Sequence, residues 1–225
     1  GICSAGGRAM LAGIIPTPAI AYLARKHKAK AGIVISLRTI RSTTTASSSS
    51  AATAYKRAGC PSRNELEPSC TSVETDDNYP RPTAEHIGHI EYRTDLLNQY
   101  MEFVLSTCKE RFDGVKVVLD CANGAAYEAM PKILRRLGAN VKVIHALPNG
   151  TNINDGCGST HLESLQKAVL ENGADFGIAH DATPTAASCV DEKGQVHPTA
   201  TTSSSCATMD MMKEAKLPYN TVVTT

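Results

Sequence analysis

The chain has 225 residues, 42% hydrophobic but only 4% aromatic and without Trp, so its cores must be aliphatic and its length suits one or two domains. Its 23 basic and 22 acidic residues are well mixed and leave a net charge of +1, which excludes an electrostatic argument for nucleic acid or a membrane surface as partner. No run approaches the ~18 apolar residues of a membrane helix.

Eight cysteines are present: Cys3, Cys60, Cys70, Cys108, Cys121, Cys157, Cys189 and Cys206. None forms a CxxC pair, so spacing gives poor support for a zinc site. Most lie among apolar residues and read as small buried hydrophobes in a reduced, cytoplasmic setting. The opening GICSAGGRAMLAG has no charged leader, the first residue is not Met, and the last residues, NTVVTT, read as a strand. Both ends read as cut, the pattern of a fragment.

Residues 14–36 predict a helix followed by a strand. Pro18 suits a first helical turn, Ile20, Leu23 and Ala24 supply an apolar face, and Arg25, Lys26, His27 and Lys28 a basic last turn. Gly32-Ile33-Val34-Ile35-Ser36 reads as a buried parallel strand. The run RSTTTASSSSAAT at 41–53, like TATTSSS at 199–205, buries little and is expected to order poorly. Pro61, Pro68, Pro80 and Pro82 mix the signal from 56 to 92, and PRPT at 80–83 reads as an interdomain connection.

The pattern sharpens from residue 94. Thr94 or Asp95 can cap a helix with the face Leu96, Tyr100, Phe103 and Val104. Val115–Asp120 predicts a strand. Ala126, Met130, Ile133, Leu134 and Leu137 predict a helix that stops at Gly138, with Pro131 as a kink or as the true start. Val141–Ile144 is a second strand, Leu162, Leu165, Ala168 and Val169 a helix closed by Asn172-Gly173, and Asp175–Ala179 a third strand. A helix at 208–216 and a strand at 221–223 follow. The alternation predicts an α/β fold, three-layer α/β/α with a mainly parallel sheet.

Four places are candidates for chemistry. Asp120-Cys121-Ala122-Asn123-Gly124-Ala125-Ala126 is a strand-to-helix turn where Gly124 would admit a ligand and a helix start an anion; a tight turn with a polar cap is the plainer reading. The loop Pro148–His161 could line a cleft, but Gly156-x-Gly158 is a poor dinucleotide fingerprint and His161 reads as a loop or helix-start residue. His180-Asp181 sits at a strand's carboxyl end, where open α/β sheets place their sites, yet a lone Asp followed by Thr183 and Thr185 is a weak metal ligand. Ser36 has no acid or His within ten residues downstream to activate it.

The stretches GIIPTPAIAYLARKHKAKAGIVIS, PRPTAEHIGHIEYRTD, VKVVLDCANGAAYEAMPKILRRLGA, LPNGTNINDGCGSTHLESLQ and ENGADFGIAHD together resemble the phosphoglucosamine mutases, a family of the α-D-phosphohexomutase superfamily. NGTNINDGCGSTH is the most specific of them. The resemblance covers about 70% of the chain and runs without gaps from about 90 to 196. It implies that 1–79 form the C-terminal part of a first α/β domain, 80–93 a linker, 94–196 a second α/β domain, and 197–225 the start of a third. It further implies a phosphoserine that passes its phosphoryl group to a hexosamine phosphate, and a bisphosphate intermediate. Mg2+ between the phosphoserine and three aspartates completes the implied chemistry.

The sequence departs from that pattern where the chemistry would be. The family's Ala-Ser-His-Asn-Pro motif is replaced by Leu37, Arg38, Thr39, Ile40 and Arg41, so Arg38 occupies the phosphoserine position and Thr39 the motif His position. The metal loop Asp-Gly-Asp-x-Asp-Arg reads Asp181, Ala182, Thr183, Pro184, Thr185 and Ala186, and of the metal positions Asp181, Thr183 and Thr185 only Asp181 keeps a carboxylate. Residues 197–205 also depart. Either the motifs have decayed, or the native residues in these loops differ from those written; peptide sequencing of 37–55 and 182–205 separates the two.

The expectation is a phosphoglucosamine mutase-like phosphotransferase, inactive as written, acting on a hexosamine phosphate. It needs neither nucleic acid nor membrane, and a homo-oligomer stays open. A phosphomannomutase or phosphoglucomutase is the close rival. A non-catalytic sugar-phosphate-binding module, or a scaffold with Ser/Thr-rich arms and no small ligand, is the rival from another class.

Overall fold

The computed structural model describes residues 1–37, 45–51, 82–181 and 187–197, and its contacts divide the chain into two compact units, Gly1–Cys108 and Lys109–Thr225. The expected helix at 208–216, the strand at 221–223 and the run at 199–205 lie outside the described residues.

In the first unit, β1 (Ala9–Leu11) pairs in parallel with β4 (Ile90–Tyr92). Helix α1 spans Thr17–Lys26 with Pro18 in its first turn, where a missing N–H costs no intrahelical bond. Its buried side chains are Ala19, Leu23 and Ala24. They share a core with Ile15 and with Leu96, Leu97 and Met101 of α2 (Leu96–Thr107). Tyr22 of α1 stacks on Phe103 of α2 with ring centroids 4.2 Å apart.

Local expectations are corrected here. Strand β2 (Ala31–Leu37) is not a buried parallel strand: it pairs antiparallel with β3 (Thr45–Ala51), and Ile33 and Ile35 are exposed. The serine-rich run forms β3 because ladder bonds run between backbones and need no apolar side chain. Asp95 begins α2 without capping it. Its carboxylate takes two bonds from Arg93 at 2.7 Å and one from Gln99 Nε2, and Arg93 holds its pKa well below the usual carboxylate range.

The second unit follows the expected alternation through its first three strands and adds two strands, at 187–191 and 196–197, that the pattern did not predict. Strand β5 is Lys116–Asp120, α3 Ala129–Arg136, β6 Asn140–Ile144, α4 Glu163–Asn172, β7 Phe176–His180, β8 Ala187–Asp191 and β9 Val196–His197. They make one five-stranded sheet in the order β6-β5-β7-β8-β9, parallel across the first three strands and antiparallel beyond. Pro131 falls in the first turn of α3, so it marks the start and not a kink. Gly173 closes α4 in the left-handed conformation at φ 53°.

The period of two along β5 sorts the core. Val117 and Leu119 pack with Leu134 of α3, while Val118 packs with Leu165 and Val169 of α4. The helices therefore cover opposite faces of the sheet, giving three layers. Burying a side chain such as Leu119 or Leu165 contributes about 1.5–3 kcal/mol.

Candidate functional site at the carboxyl ends of the parallel strands

Register sets the site. Asp120 lies opposite Ile144 on one side and Ala179 on the other. The parallel strands thus end level, and Cys121, His145 and His180 follow side by side on one edge of the sheet.

Asp120 is the buried centre of that edge. Its Oδ1 accepts the Ala122 N–H at 2.8 Å, its Oδ2 accepts the Gly158 N–H at 3.0 Å, and His145 Nδ1 lies 3.1 Å from Oδ2. The 147–161 loop is tied in by the same groups. Asn123 accepts the Leu147 N–H on Oδ1 and donates from Nδ2 to the Asn152 carbonyl, and Ser159 donates its N–H to the His180 carbonyl. Ala122, Asn123, His145 and Asn154 all have positive φ between 48° and 56°, a conformation non-glycine residues adopt only under restraint. Gly158, at φ 79°, has no room for a side chain: a Cβ would stand 2.7 Å from the Ala122 Cβ and 2.8 Å from the His180 carbonyl oxygen.

The 120–126 segment is the tight turn of the plainer reading, but without its polar cap, since the next helix begins without a side-chain cap. Its polar groups are used by the protein, Gly124 donates to the Cys121 carbonyl at 2.8 Å, and α3 begins only at Ala129. His161 is exposed between Gly158 and α4, and its N–H donates to the Gly158 carbonyl at 3.1 Å. His180 is 8% exposed, and its Nε2 has no hydrogen-bond partner. Burial pushes its pKa down, opposed by the negative charges of Asp181 and Asp120. Burial, reinforced by Asp120, pushes the Cys121 thiol up to about 12 and the Cys157 thiol up to about 11, so both are protonated and poor nucleophiles at neutral pH.

Of the residues singled out for phosphoryl transfer, Ser36 lies in β2 with its backbone opposite Ala46. Arg38, Thr39, Thr183 and Thr185 lie outside the described residues. Asp181 follows β7 and is partly exposed. One carboxylate and two neutral hydroxyls do not fit a magnesium cage, which wants several hard, mostly anionic oxygens. Sequence reasoning missed His145. The only signal was its place just after a strand, and the strand-end rule that singled out His180 applies equally to it. Asp120, His145 and Cys157 each bring a ligand atom within 4.8 Å of the others, a possible metal-binding triad that spacing could not reveal.

Residues 1–38 match the family model described as phosphoglucomutase/phosphomannomutase, alpha/beta/alpha domain I, and residues 95–194 match domain II of the same family. The chain belongs to the phosphoglucomutase/phosphomannomutase family. The phosphoglucosamine mutase of Clostridium tetani is 42% identical over the whole chain, which covers 49% of that relative. That of Moorella thermoacetica is 44% identical over 87% of the chain and 44% of the relative. The chain thus spans about half the length of the curated relatives it matches. A phosphoglucomutase/phosphomannomutase family protein from Burkholderia thailandensis superposes with a TM-score of 0.75, at 17% identity over 95% of this chain and 46% of the other, a likeness of fold. Among the described residues no helix is long and apolar enough to cross a membrane.

Proposed function

We propose that this chain is part of a phosphoglucosamine mutase-like phosphotransferase, the type that interconverts glucosamine 6-phosphate and glucosamine 1-phosphate through a phosphoserine and a bisphosphate intermediate. As written, it does not run that reaction. The observation that carries the first half is 42% identity over the full chain to a protein named phosphoglucosamine mutase. The second half rests on Arg38 at the phosphoserine position and on Thr183 and Thr185 at two of the three metal positions.

Arg38 has no hydroxyl, so it cannot take or give a phosphoryl group, and Thr39 replaces the imidazole beside it. Magnesium would supply charge neutralisation to a phosphate in transit, but the donors at 181, 183 and 185 are too few to fix it there. What stays available is binding: the hexosamine phosphate is the proposed partner, in a cytoplasmic setting, with neither nucleic acid nor membrane involved and with assembly into homo-oligomers open. In this reading residues 1–79 belong to the first domain of the family plan, 80–93 to the linker, 94–196 to the second domain and 197–225 to the third.

The test combines intact mass with calorimetry. The chain is incubated with glucose 1,6-bisphosphate and magnesium, then titrated with glucosamine 6-phosphate with and without the cation. The expected result is no added phosphate and no dependence of binding on magnesium, with magnesium binding gained in the T183D/T185D variant. A stable increment of one phosphate on the unaltered chain overturns the inactive reading. No response to magnesium in T183D/T185D removes the mutase plan itself.

A further inference from the structure

Asp120, His145 and Cys157 come from three separate places: the last residue of β5, the first after β6, and the loop before α4. Asp120 and Cys157 are fully buried, whereas the His145 side chain keeps about a third of its surface exposed. His145 Nδ1 is itself buried and lacks a hydrogen-bond partner, although Asp120 Oδ2 stands only 3.1 Å away. A nitrogen and an oxygen at that separation, without hydrogen-bond alignment, are spaced nearly like two ligands of one cation. Around a tetrahedral zinc with bonds of about 2.1 Å, neighbouring donors sit about 3.4 Å apart.

Outer contacts hold the donors in place. Two backbone N–H groups, from Ala122 and Gly158, fix the Asp120 carboxylate, and Asn123 Nδ2 lies 3.9 Å from Cys157 Sγ as a weak donor. His145 holds its position at φ 48°. No magnesium cage looks like this: a thiolate, an imidazole and a carboxylate select a borderline cation over a hard one.

We propose that Asp120, His145 and Cys157 bind a single divalent cation of the zinc class, with water completing the coordination on the exposed side of His145. Binding displaces the Cys157 proton to solvent, and the neutral imidazole coordinates through Nδ1 while keeping its proton on Nε2. A thiolate and a carboxylate then balance the two positive charges of the ion. The cation staples the ends of β5 and β6 to the 147–161 loop, and the site stands whether or not the mutase reading does.

Cobalt(II) reports on such a site through a thiolate-to-metal charge-transfer band and the visible bands of four-coordinate geometry. We expect the reduced, metal-stripped chain to bind one equivalent of cobalt with that spectrum, zinc to displace it, and millimolar magnesium to leave it unchanged. Cys157→Ser removes the charge-transfer band. His145→Asn, whose new side chain tolerates the left-handed backbone, keeps the far-ultraviolet circular dichroism and weakens cobalt binding at least tenfold. A spectrum without the charge-transfer band overturns the site, and so does full-strength binding by folded His145→Asn. Displacement of cobalt by stoichiometric magnesium overturns the metal class.

Discussion

Gly158 donates its backbone N–H to Asp120 Oδ2 at 3.0 Å across 38 residues of chain, and the receiving carboxylate is fully buried. That bond closes the 147–161 loop onto the end of β5. Substituting Asp120→Asn would keep the shape but turn an NH2 group toward a backbone N–H, leaving donors unsatisfied. A loss of about 2–4 kcal/mol is expected by urea unfolding in the presence of chelator. A change below about 0.5 kcal/mol would show that the carboxylate does not organise this edge.

Gly158→Ala tests the same closure from the other side. The added methyl would stand 2.7 Å from the Ala122 Cβ and 2.8 Å from the His180 carbonyl oxygen, and φ is 79°. The expected cost is about 2 kcal/mol or more. Gly150→Ala is the control, since φ there is 89° but nothing lies within 4 Å of the new methyl. It should cost only about 1 kcal/mol, the backbone penalty alone. Equal costs for the two would remove the steric part of the argument.

Leu165 anchors α4 to the sheet and is fully buried against Val118, Ala179 and Val190. Leu165→Ala should destabilise by about 2–5 kcal/mol. Gly177→Ala, whose methyl would meet Val169 and Leu165 side chains at 2.7 and 2.8 Å, should cost about 1–3 kcal/mol by overpacking. The double variant is expected to cost less than the sum, because the shortened residue 165 makes room for the methyl. Strict additivity would contradict the contact.

The sign of the pH dependence follows from His180. Its pKa is lowered from 6.5 in the folded chain, by burial first, with Asp181 and Asp120 acting against that. Below pH 6.5 the unfolded chain binds a proton that the folded chain still refuses, so stability is full above that pH and falls as pH drops toward the folded pKa. The slope attributable to this residue is at most about 1.4 kcal/mol per pH unit. Melting temperatures between pH 7.5 and 5, compared with His180→Asn, should show a shallower acid loss in the variant. Parallel curves would mean that His180 does not titrate with folding.

Much of the second unit was legible because its signals are local. Gly173 stops α4 and Pro131 opens α3 through their own backbone restrictions, and Val117, Val118, Val141, Val143 and Ile144 give the strands at 116–120 and 140–144 a β-branched character. The first unit was less legible. Three-residue strands such as β1 and β4 are too short to show a period, and the serine run pairs with β2 through groups that every residue carries. Asp120 was singled out as a turn residue, but its bond to Gly158 could not be read from either segment alone.

The sequence by itself determined the strand-helix alternation from 116 to 180 and the chemistry absent at 38, 183 and 185, because helix stops, strand periods and side-chain formulae are written residue by residue. Tertiary structure alone decided that Asp120, His145 and Cys157 meet. Their meeting depends on strand register and on a loop held in left-handed turns, and neither leaves a periodic trace in the chain.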